Sequence, residues 1–191
     1  FNVMKKSILI IAILFIGATS FAQNSNNVQL GVRGGANFAT VAGDDYDSPD
    51  SRTSFYLGLL AEAPLSDHVS LQPEVYYSGQ GFDVDNAQFK VDYIQVPLLL
   101  KFYIADGLNI QAGPQFGFKV NEEFDFDPNE DSGSFDTDSV NDFDFQGAAG
   151  VEYKFPSGFF IQGRYSYGFS EMVEDVDVHN SVFSAGLGFM F

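Results

Sequence analysis

The chain has 191 residues, with 9 Lys and Arg against 26 Asp and Glu, and its formal net charge is −17 at pH 7. This length predicts one domain, and the strong negative charge excludes nucleic-acid binding, because phosphate recognition depends on clustered Lys and Arg. The absence of Cys and the presence of only 2 His exclude disulfides, thiol chemistry and a multi-histidine metal site.

The first predicted element, at residues 1–22, is a secretory signal peptide with a short upstream extension. Met4 begins a Met-Lys-Lys start, an apolar run follows at residues 8–16, and Ser20 and Ala22 stand at the −3 and −1 positions of a cleavage site. The apolar run is about half as long as the roughly 20 residues that a membrane-spanning helix needs, which favours cleavage over a retained anchor. We therefore predict an exported, acidic mature domain at residues 23–191.

Strict alternation of apolar residues with polar residues or glycine runs through most of the remaining chain. This period of two is typical of β-strands with two different faces. We assign eight strands, whose apolar faces begin at Leu30, Phe55, Val69, Ile94, Leu108, Phe143, Ile161 and Phe183.

The linkers between these strands alternate in length. They are predicted at residues 39–53, 64–68, 80–90, 105–107, 121–142, 156–158 and 171–180, in the order long, short, long, short, long, short, long. Short turns at one end and long polar loops at the other are typical of outer-membrane barrels, whose short turns face the periplasm. The sequence therefore predicts an all-β fold, an eight-stranded antiparallel up-and-down transmembrane β-barrel of OmpA/OmpX-like architecture.

A water-soluble sandwich or lipocalin-like barrel is the alternative, with the apolar faces inside. The side chains of the polar faces separate the two folds. These faces carry five cations and three anions, namely Arg33, Glu62, Glu74, Lys101, Lys119, Glu152, Lys154 and Arg164. A soluble core could not bury this set, whereas polar and ionic side chains fill the lumen of a small membrane barrel.

These eight residues are predicted to form a lumen ionic network in which the five cations pair with Glu62, Glu74 and Glu152. An open channel lined by the same charges is the second interpretation. An eight-stranded interior is only wide enough for side chains, which favours the filled lumen and predicts little or no conductance.

Acidic residues are concentrated in the four long loops and at their margins, where 21 of the 26 lie. The densest stretch offers oxygen ligands at alternate positions, as a calcium loop does, and its candidate ligands are Asp125, Asp127, Asn129, Asp131 and Asp138. The glycine at position 133 comes one place late for an EF-hand, and position 138 has Asp where Glu is expected. We expect at most a weakly bound Ca²⁺, with loosely associated divalent cations or a merely solvated loop as alternatives.

An enzyme at the outer rim would need a nucleophile, a base and a carboxylate within reach of each other. His179 lies in the last long loop near Ser170 and Asp175, but no spacing here specifies a nucleophile. A single rim histidine among acidic residues is ordinarily solvated. We predict that the protein is not an enzyme.

One strand resembles a known family. Residues 93–102 read Tyr-Ile-Gln-Val-Pro-Leu-Leu-Leu-Lys-Phe, which is similar to a strand of the PorT-type outer membrane β-barrel family of Bacteroidota. Similar stretches lie at residues 30–38, 72–78, 112–115, 164–168 and 183–189, so the resemblance covers essentially the whole mature chain. It implies an eight-stranded barrel in the outer membrane of a diderm bacterium, and Phe191 resembles the terminal aromatic residue that barrel-assembly machinery reads.

The function expected from these features is non-enzymatic. We expect an outer membrane barrel with a filled polar lumen and acidic extracellular loops for structural, adhesion or partner-binding roles. Its partners would be outer membrane lipid, the barrel-assembly machinery and an extracellular protein or cationic molecule. The alternative is a narrow passive pore or a binder of small ligands or divalent cations.

Overall fold

A computed structural model describes residues 28–42, 50–84, 87–126, 134–136, 140–170 and 178–191. The predicted signal peptide at residues 1–22 lies outside these ranges. The strands within them are β1 (Gln29–Ala42), β2 (Asp50–Ser66), β3 (Val69–Val84), β4 (Ala87–Tyr103), β5 (Leu108–Phe126), β6 (Ser134–Asp136), β7 (Phe143–Lys154), β8 (Phe159–Gly168) and β9 (His179–Met190). Among the described residues there is no helix long and apolar enough to cross a membrane.

Eight of the strands close into a ring. Their order is β4-β3-β2-β1-β9-β8-β7-β5, and a β4–β5 pairing completes the circle. Each pairing is antiparallel, and β1 meets β9 in a continuous register. The short β6 pairs only with the far end of β5 and adds nothing to the ring. The predicted eight-stranded antiparallel barrel is confirmed.

The strands extend further toward the long loops than the alternation indicates. β3 ends at Val84 and β4 begins at Ala87, so the linker predicted at residues 80–90 is wrong. The ladder continues there because Phe82 and Phe89 are paired in register with their ring centroids 5.4 Å apart. Gly and Asp residues in this hairpin resemble a loop in the sequence but are paired strand residues in the structure.

The apolar face of each strand points away from the barrel axis. Large apolar side chains such as Leu57, Ile161 and Leu187 are exposed there. This face runs from Ile94 in strand β4 to Ile104 just after the strand, a rise of about 33 Å in an extended chain. With a tilt of roughly 40°, the apolar band is about 25 Å tall, the height expected for an outer-membrane barrel.

The turns at the opposite end are tight. Gly107 and Gly158 have φ angles of 76° and 89°, a region that favours glycine. A Cβ atom on Gly158 would lie 2.5 Å from the carbonyl oxygen of Met190. The short linkers predicted at residues 105–107 and 156–158 are therefore built as turns that a larger residue would strain.

Candidate functional site

The polar faces of the strands point into the barrel. Six of the eight charged residues predicted for these faces are at most 4% exposed, and they are Arg33, Glu62, Glu74, Lys101, Glu152 and Arg164. Buried charges are costly unless they are paired and hydrogen-bonded. Each buried charge therefore needs an ion-pair or hydrogen-bond partner inside the barrel.

Glu74 on β3 is the centre of one ion cluster. Arg164 on β8 donates two parallel hydrogen bonds to the Glu74 carboxylate, both 2.8 Å long. Arg33 on β1 donates to the same carboxylate from the other side, and Gln72 adds a bond of 2.6 Å. The Arg33 guanidinium also lies over the rings of two tyrosines, 4.6 Å from the centroid of Tyr56 and 4.8 Å from that of Tyr76.

Lys101 on β4 is the centre of a second cluster, nearer the short turns. Its Nζ donates to Glu152 at 2.6 Å and to Glu62 at 3.1 Å. Glu62 also accepts from Lys154 at 3.1 Å and from the Tyr103 hydroxyl at 2.5 Å. Gln72 accepts from Lys101 at 2.9 Å while donating to Glu74, so it joins this cluster to the first one.

We call these two linked clusters the ion-pair belt. It contains four cations and three anions, namely Arg33, Lys101, Lys154, Arg164, Glu62, Glu74 and Glu152. Its members come from six strands of the ring. The belt therefore joins opposite walls of the barrel by side-chain contacts.

Lys119 lies apart from the belt. The structure gives it partners other than the three glutamates expected from the sequence: its Nζ donates to Glu122 at 2.8 Å and to the carbonyl oxygen of Val140 at 2.5 Å. The carboxylate of Asp142 is 3.5 Å away. Glu122 in turn accepts from the backbone N–H of Val140 at 3.2 Å. Lys119 and Glu122 thus hold the segment before β7 against β5.

An apolar cluster, which we call the apolar cap, lies inside the ring near the long loops. It consists of Val41, Val91, Tyr93, Val140 and Val178, and Phe82 and Phe89 pack against it. The alternation in the sequence does not predict this cluster, because it indicates inward faces that are polar along their whole length. The sequence indicates this cluster only through Val41 and Val91, which are apolar residues at inward positions of β1 and β4.

The sequence groups Asp144 with the acidic residues at the loop margins, but the structure places its side chain inside the barrel. Its carboxylate accepts from Ser170 at 2.8 Å, Gln146 at 2.7 Å and Asn180 at 2.5 Å. Gln146 accepts from Gln115, which accepts from the Tyr76 hydroxyl. Polar contacts thus continue from the belt region toward the apolar cap.

Most of the candidate calcium ligands lie outside the residues that the structure describes. Asp127, Asn129, Asp131 and Asp138 lie outside the described residues, and only the backbone of Asp125, in β5, lies within them. In the ranges that the structure covers, there is no group of three or more His, Asp or Glu residues able to hold a metal ion.

His179 and Phe191 are both described. The Nδ1 atom of His179 lies 3.0 Å from the backbone carbonyl oxygen of Ser170, while the Ser170 hydroxyl donates to Asp144. This arrangement turns the serine hydroxyl toward the carboxylate. Phe191 is exposed on the outer surface beside Phe189, and its N–H donates to Leu30 on β1 at 2.8 Å.

A cavity of about 340 Å³ opens at the short-turn end. Its wall includes Tyr103 and Lys154 from the mouth of the barrel and Tyr153 and Phe155 from the rim. The Lys154 ammonium lies 5.3 Å from the ring centroid of Tyr103. Lys154 is therefore the residue of the belt that lines this cavity.

Comparisons with known proteins agree with this architecture. A family model described as an outer membrane protein beta-barrel domain matches residues 21–174. The crystal structure of neisserial surface protein A is similar, with 16% identity, a TM-score of 0.61, and coverage of 87% of this chain and 100% of that one. The attachment invasion locus protein Ail of Yersinia pestis is similar with 17% identity, a TM-score of 0.56, and coverage of 85% and 98%. The comparison with curated protein sequences found no match.

Proposed function

Because the chain belongs to the outer membrane protein beta-barrel domain family, we propose that it is a closed, non-enzymatic outer membrane barrel whose acidic loops carry its function. The barrel would act as an anchor that holds these loops at the cell surface. The ion-pair belt is the observation that carries the proposal. A barrel used as a water-filled passage would leave its lumen charges hydrated, but these charges are paired with each other and buried.

The belt supports closure because its side chains meet across the interior. Glu74 is contacted from β1 and β8, and Lys101 contacts residues of β2, β3 and β7. An eight-stranded ring is only wide enough for such side chains. A hydrated ion could pass only if several of these ion pairs separated.

The apolar cap supports closure independently at the other end. Val140 and Val178 come from the segments that precede β7 and β9, and they pack on Val41 and Val91. A narrow apolar constriction excludes water and ions by dewetting. The barrel would thus have two barriers in series, one ionic and one apolar.

Gel mobility and single-channel recording test this proposal. Protein refolded in detergent should migrate differently before and after boiling, and the heat-modifiable form should give no conductance steps in a planar bilayer. Stable steps of uniform size from the heat-modifiable form would contradict closure and support the narrow-pore alternative. Arg164→Ala combined with Val140→Ser weakens both barriers and is the positive control for the recording.

The partner-binding role rests on the charge of the loops. With 26 acidic residues against 9 basic ones in the chain, a cationic protein surface or divalent cations would be attracted. We propose weak Ca²⁺ association with Asp125, Asp127, Asn129, Asp131 and Asp138 as one form of this attraction. Calcium titration of the refolded protein should shift its melting temperature, and Asp→Asn changes at residues 125, 127 and 131 should remove the shift.

A narrower family assignment is also proposed. The Tyr-Ile-Gln-Val-Pro-Leu-Leu-Leu-Lys-Phe run at residues 93–102 supports membership of the PorT-type branch of Bacteroidota. In the structure this run provides both Lys101 and a lipid-facing apolar row. A sequence profile built from PorT-type proteins alone should then match the chain better than profiles of other small barrels.

A further inference from the structure

Asp144 differs from the carboxylates of the ion-pair belt in its partners. It is buried, and the three side chains that donate to it within the described chain, Ser170, Gln146 and Asn180, are all neutral. Each belt glutamate instead contacts at least one Lys or Arg. A buried carboxylate that keeps its charge without a cation is costly, even when it is hydrogen-bonded.

Buried polar atoms with unused hydrogen-bonding capacity lie beside Asp144. Both amide atoms of Gln95 and the Oδ1 atom of Asn180 are buried without a hydrogen-bond partner, and the buried hydroxyl of Tyr93 interacts only weakly with the Asn180 side chain. The side chains of Tyr93 and Gln95 are fully buried, at 0% exposure. Such atoms in a native interior call for a ligand, an ion or ordered water.

The sheet register brings these oxygens together. Gly117 on β5 pairs with Gln95 on one side and with Asp144 on the other, so no side chain separates the two. A Cβ atom on Gly117 would lie 3.1 Å from the Gln95 amide and 3.3 Å from the Tyr93 ring, which shows that both side chains lean over this glycine. Asn180 joins them through its hydrogen bond to Asp144, and Asp144 is the strongest charge acting on the Tyr93 hydroxyl.

Charge balance along the barrel favours a cation at this place. The belt has one more cation than it has anions, but this excess charge is not close to Asp144. Arg164 of the belt pairs with Gly150 of β7, which is six residues along the strand from Asp144. Six residues span about 20 Å, which is too far for a direct ion pair between Arg164 and Asp144. Lys119 is closer but is bound to Glu122 and Val140.

We propose that Asp144, Tyr93, Gln95 and Asn180 bind one alkali-metal cation inside the barrel, on the belt side of the apolar cap to which Tyr93 also belongs. Hard cations take oxygen ligands, and this group supplies one carboxylate and three neutral oxygens. A single carboxylate suits a monovalent ion better than Ca²⁺, whose sites need more negative charge. The acidic surface raises the local concentration of such ions. This site does not depend on the closed-barrel function and is separate from the loop residues 125–138.

Thermal unfolding in different salts tests the site. The refolded full chain is heated in NaCl, KCl or N-methylglucamine chloride at equal ionic strength, and the folded fraction is read from gel mobility. We expect a higher melting temperature in NaCl or KCl than in the organic salt. Asp144→Asn should remove this difference, and Tyr93→Phe should raise the cation concentration for half-maximal stabilisation about tenfold, the cost of about 1.4 kcal/mol of lost ligation.

Asp142→Asn is the matched control. Its side chain is 71% exposed and lies two residues away, so it removes the same charge without removing a buried ligand. It should keep the difference between the salts. Equal melting temperatures in all three salts for the wild type would overturn the proposal, as would a salt difference that survives Asp144→Asn.

Discussion

At the scale of single residues, Glu74 is the most constrained side chain of the interior. It accepts from Arg33, Arg164 and Gln72, and none of its carboxylate surface is exposed. The planar guanidinium of Arg164 matches the carboxylate with two parallel bonds, a geometry that Lys could not reproduce. Removing this one carboxylate would leave two guanidinium groups buried without a counter-charge.

Glu74→Gln should destabilise the barrel strongly. We expect a loss of about 3–5 kcal/mol in the free energy of unfolding, because breaking a buried pair leaves an uncompensated charge. Urea titration of the protein in lipid vesicles, followed by gel mobility, measures the change.

Asp67→Asn serves as the control for that experiment. Asp67 is exposed in the turn between β2 and β3, so its neutralisation should change stability by less than about 0.5 kcal/mol. Equal effects of the two variants would show that the belt contributes no specific stability.

At the scale of strands and turns, large inward residues of one strand are matched by small inward residues of another strand of the ring. Gly186 on β9 faces Tyr56, and Gly188 faces Phe160, where an added Cβ would lie 2.2 Å from the Tyr56 hydroxyl or the Phe160 ring. The glycines of β9 thus provide the space that these aromatic rings fill. Gly163 on β8 points outward, and a Cβ there would approach only Phe183, at 3.8 Å.

Gly186→Ala should therefore destabilise the barrel, while Gly163→Ala should not. The alanine at position 186 would also meet the carbonyl oxygen of Gly34 at 2.3 Å, so the backbone must move. We expect a cost of about 1–3 kcal/mol for overpacking at position 186 and less than about 0.5 kcal/mol at position 163. Equal unfolding midpoints in urea for the two variants would contradict this packing.

The segment before β7 offers a second prediction at this scale. Lys119→Met removes the ammonium that bonds the Val140 carbonyl and Glu122, so the segment should open more often. Hydrogen bonds to charged groups contribute about 1.5–3 kcal/mol, which corresponds to amide exchange at Val140 faster by at least tenfold. Hydrogen exchange read by NMR measures this rate.

Lys154→Met is the comparison for that variant, since Lys154 lies at the opposite end of the barrel, in the belt. It should leave the exchange of Val140 unchanged. Unchanged exchange in Lys119→Met as well would mean that the apolar contacts of Val140 alone hold the segment.

Much of the fold and part of the interior could be predicted from the sequence. The period of two was enough to place Arg33 and Arg164 on the inward face, because a strand alternates its faces strictly. Glu122 could not be placed in this way. Lys119 pairs with Tyr93, and Asn121 pairs with Asp92, so Val120 between them is left unpaired as a bulge. This bulge reverses the alternation of the strand faces and turns Glu122 inward.

The apolar cap and the site around Asp144 also could not be predicted from the sequence. Val140 and Val178 lie outside the strands, where no period indicates direction, and Asp144 looked like one more acid at a loop margin. The unpaired oxygens of Tyr93 and Gln95 depend on side-chain packing around Gly117. Such contacts follow from the closed ring and not from any local pattern.

At the scale of the whole molecule, charge and hydrophobic surface are separated. The apolar band faces outward, the ionic groups of the belt are balanced to within one charge inside, and the chain as a whole carries −17. Most of the net negative charge must therefore lie at the ends of the barrel. Anionic lipid headgroups would repel those ends during insertion.

Refolding should therefore be slower into vesicles with anionic lipid than into zwitterionic vesicles of equal thickness. We expect a difference of several-fold at low salt, and its loss near 1 M NaCl, where the Debye length falls to about 3 Å. The rate at which the heat-modifiable band appears measures refolding. A difference that persists at high salt would point to the lipid packing and not to charge.

The pairing of β1 with β9 also determines how the chain reaches its fold. Each of the other ring pairings joins strands that follow one another along the chain, with only the short β6 between β5 and β7, but this one joins Gly31 to Met190 and Ala42 to His179, across the whole length of the domain. Bringing such distant segments together has a larger entropic cost than forming a hairpin, and long-range pairing slows folding. Ring closure at this pair of strands, more than formation of any single hairpin, should therefore set the pace of folding.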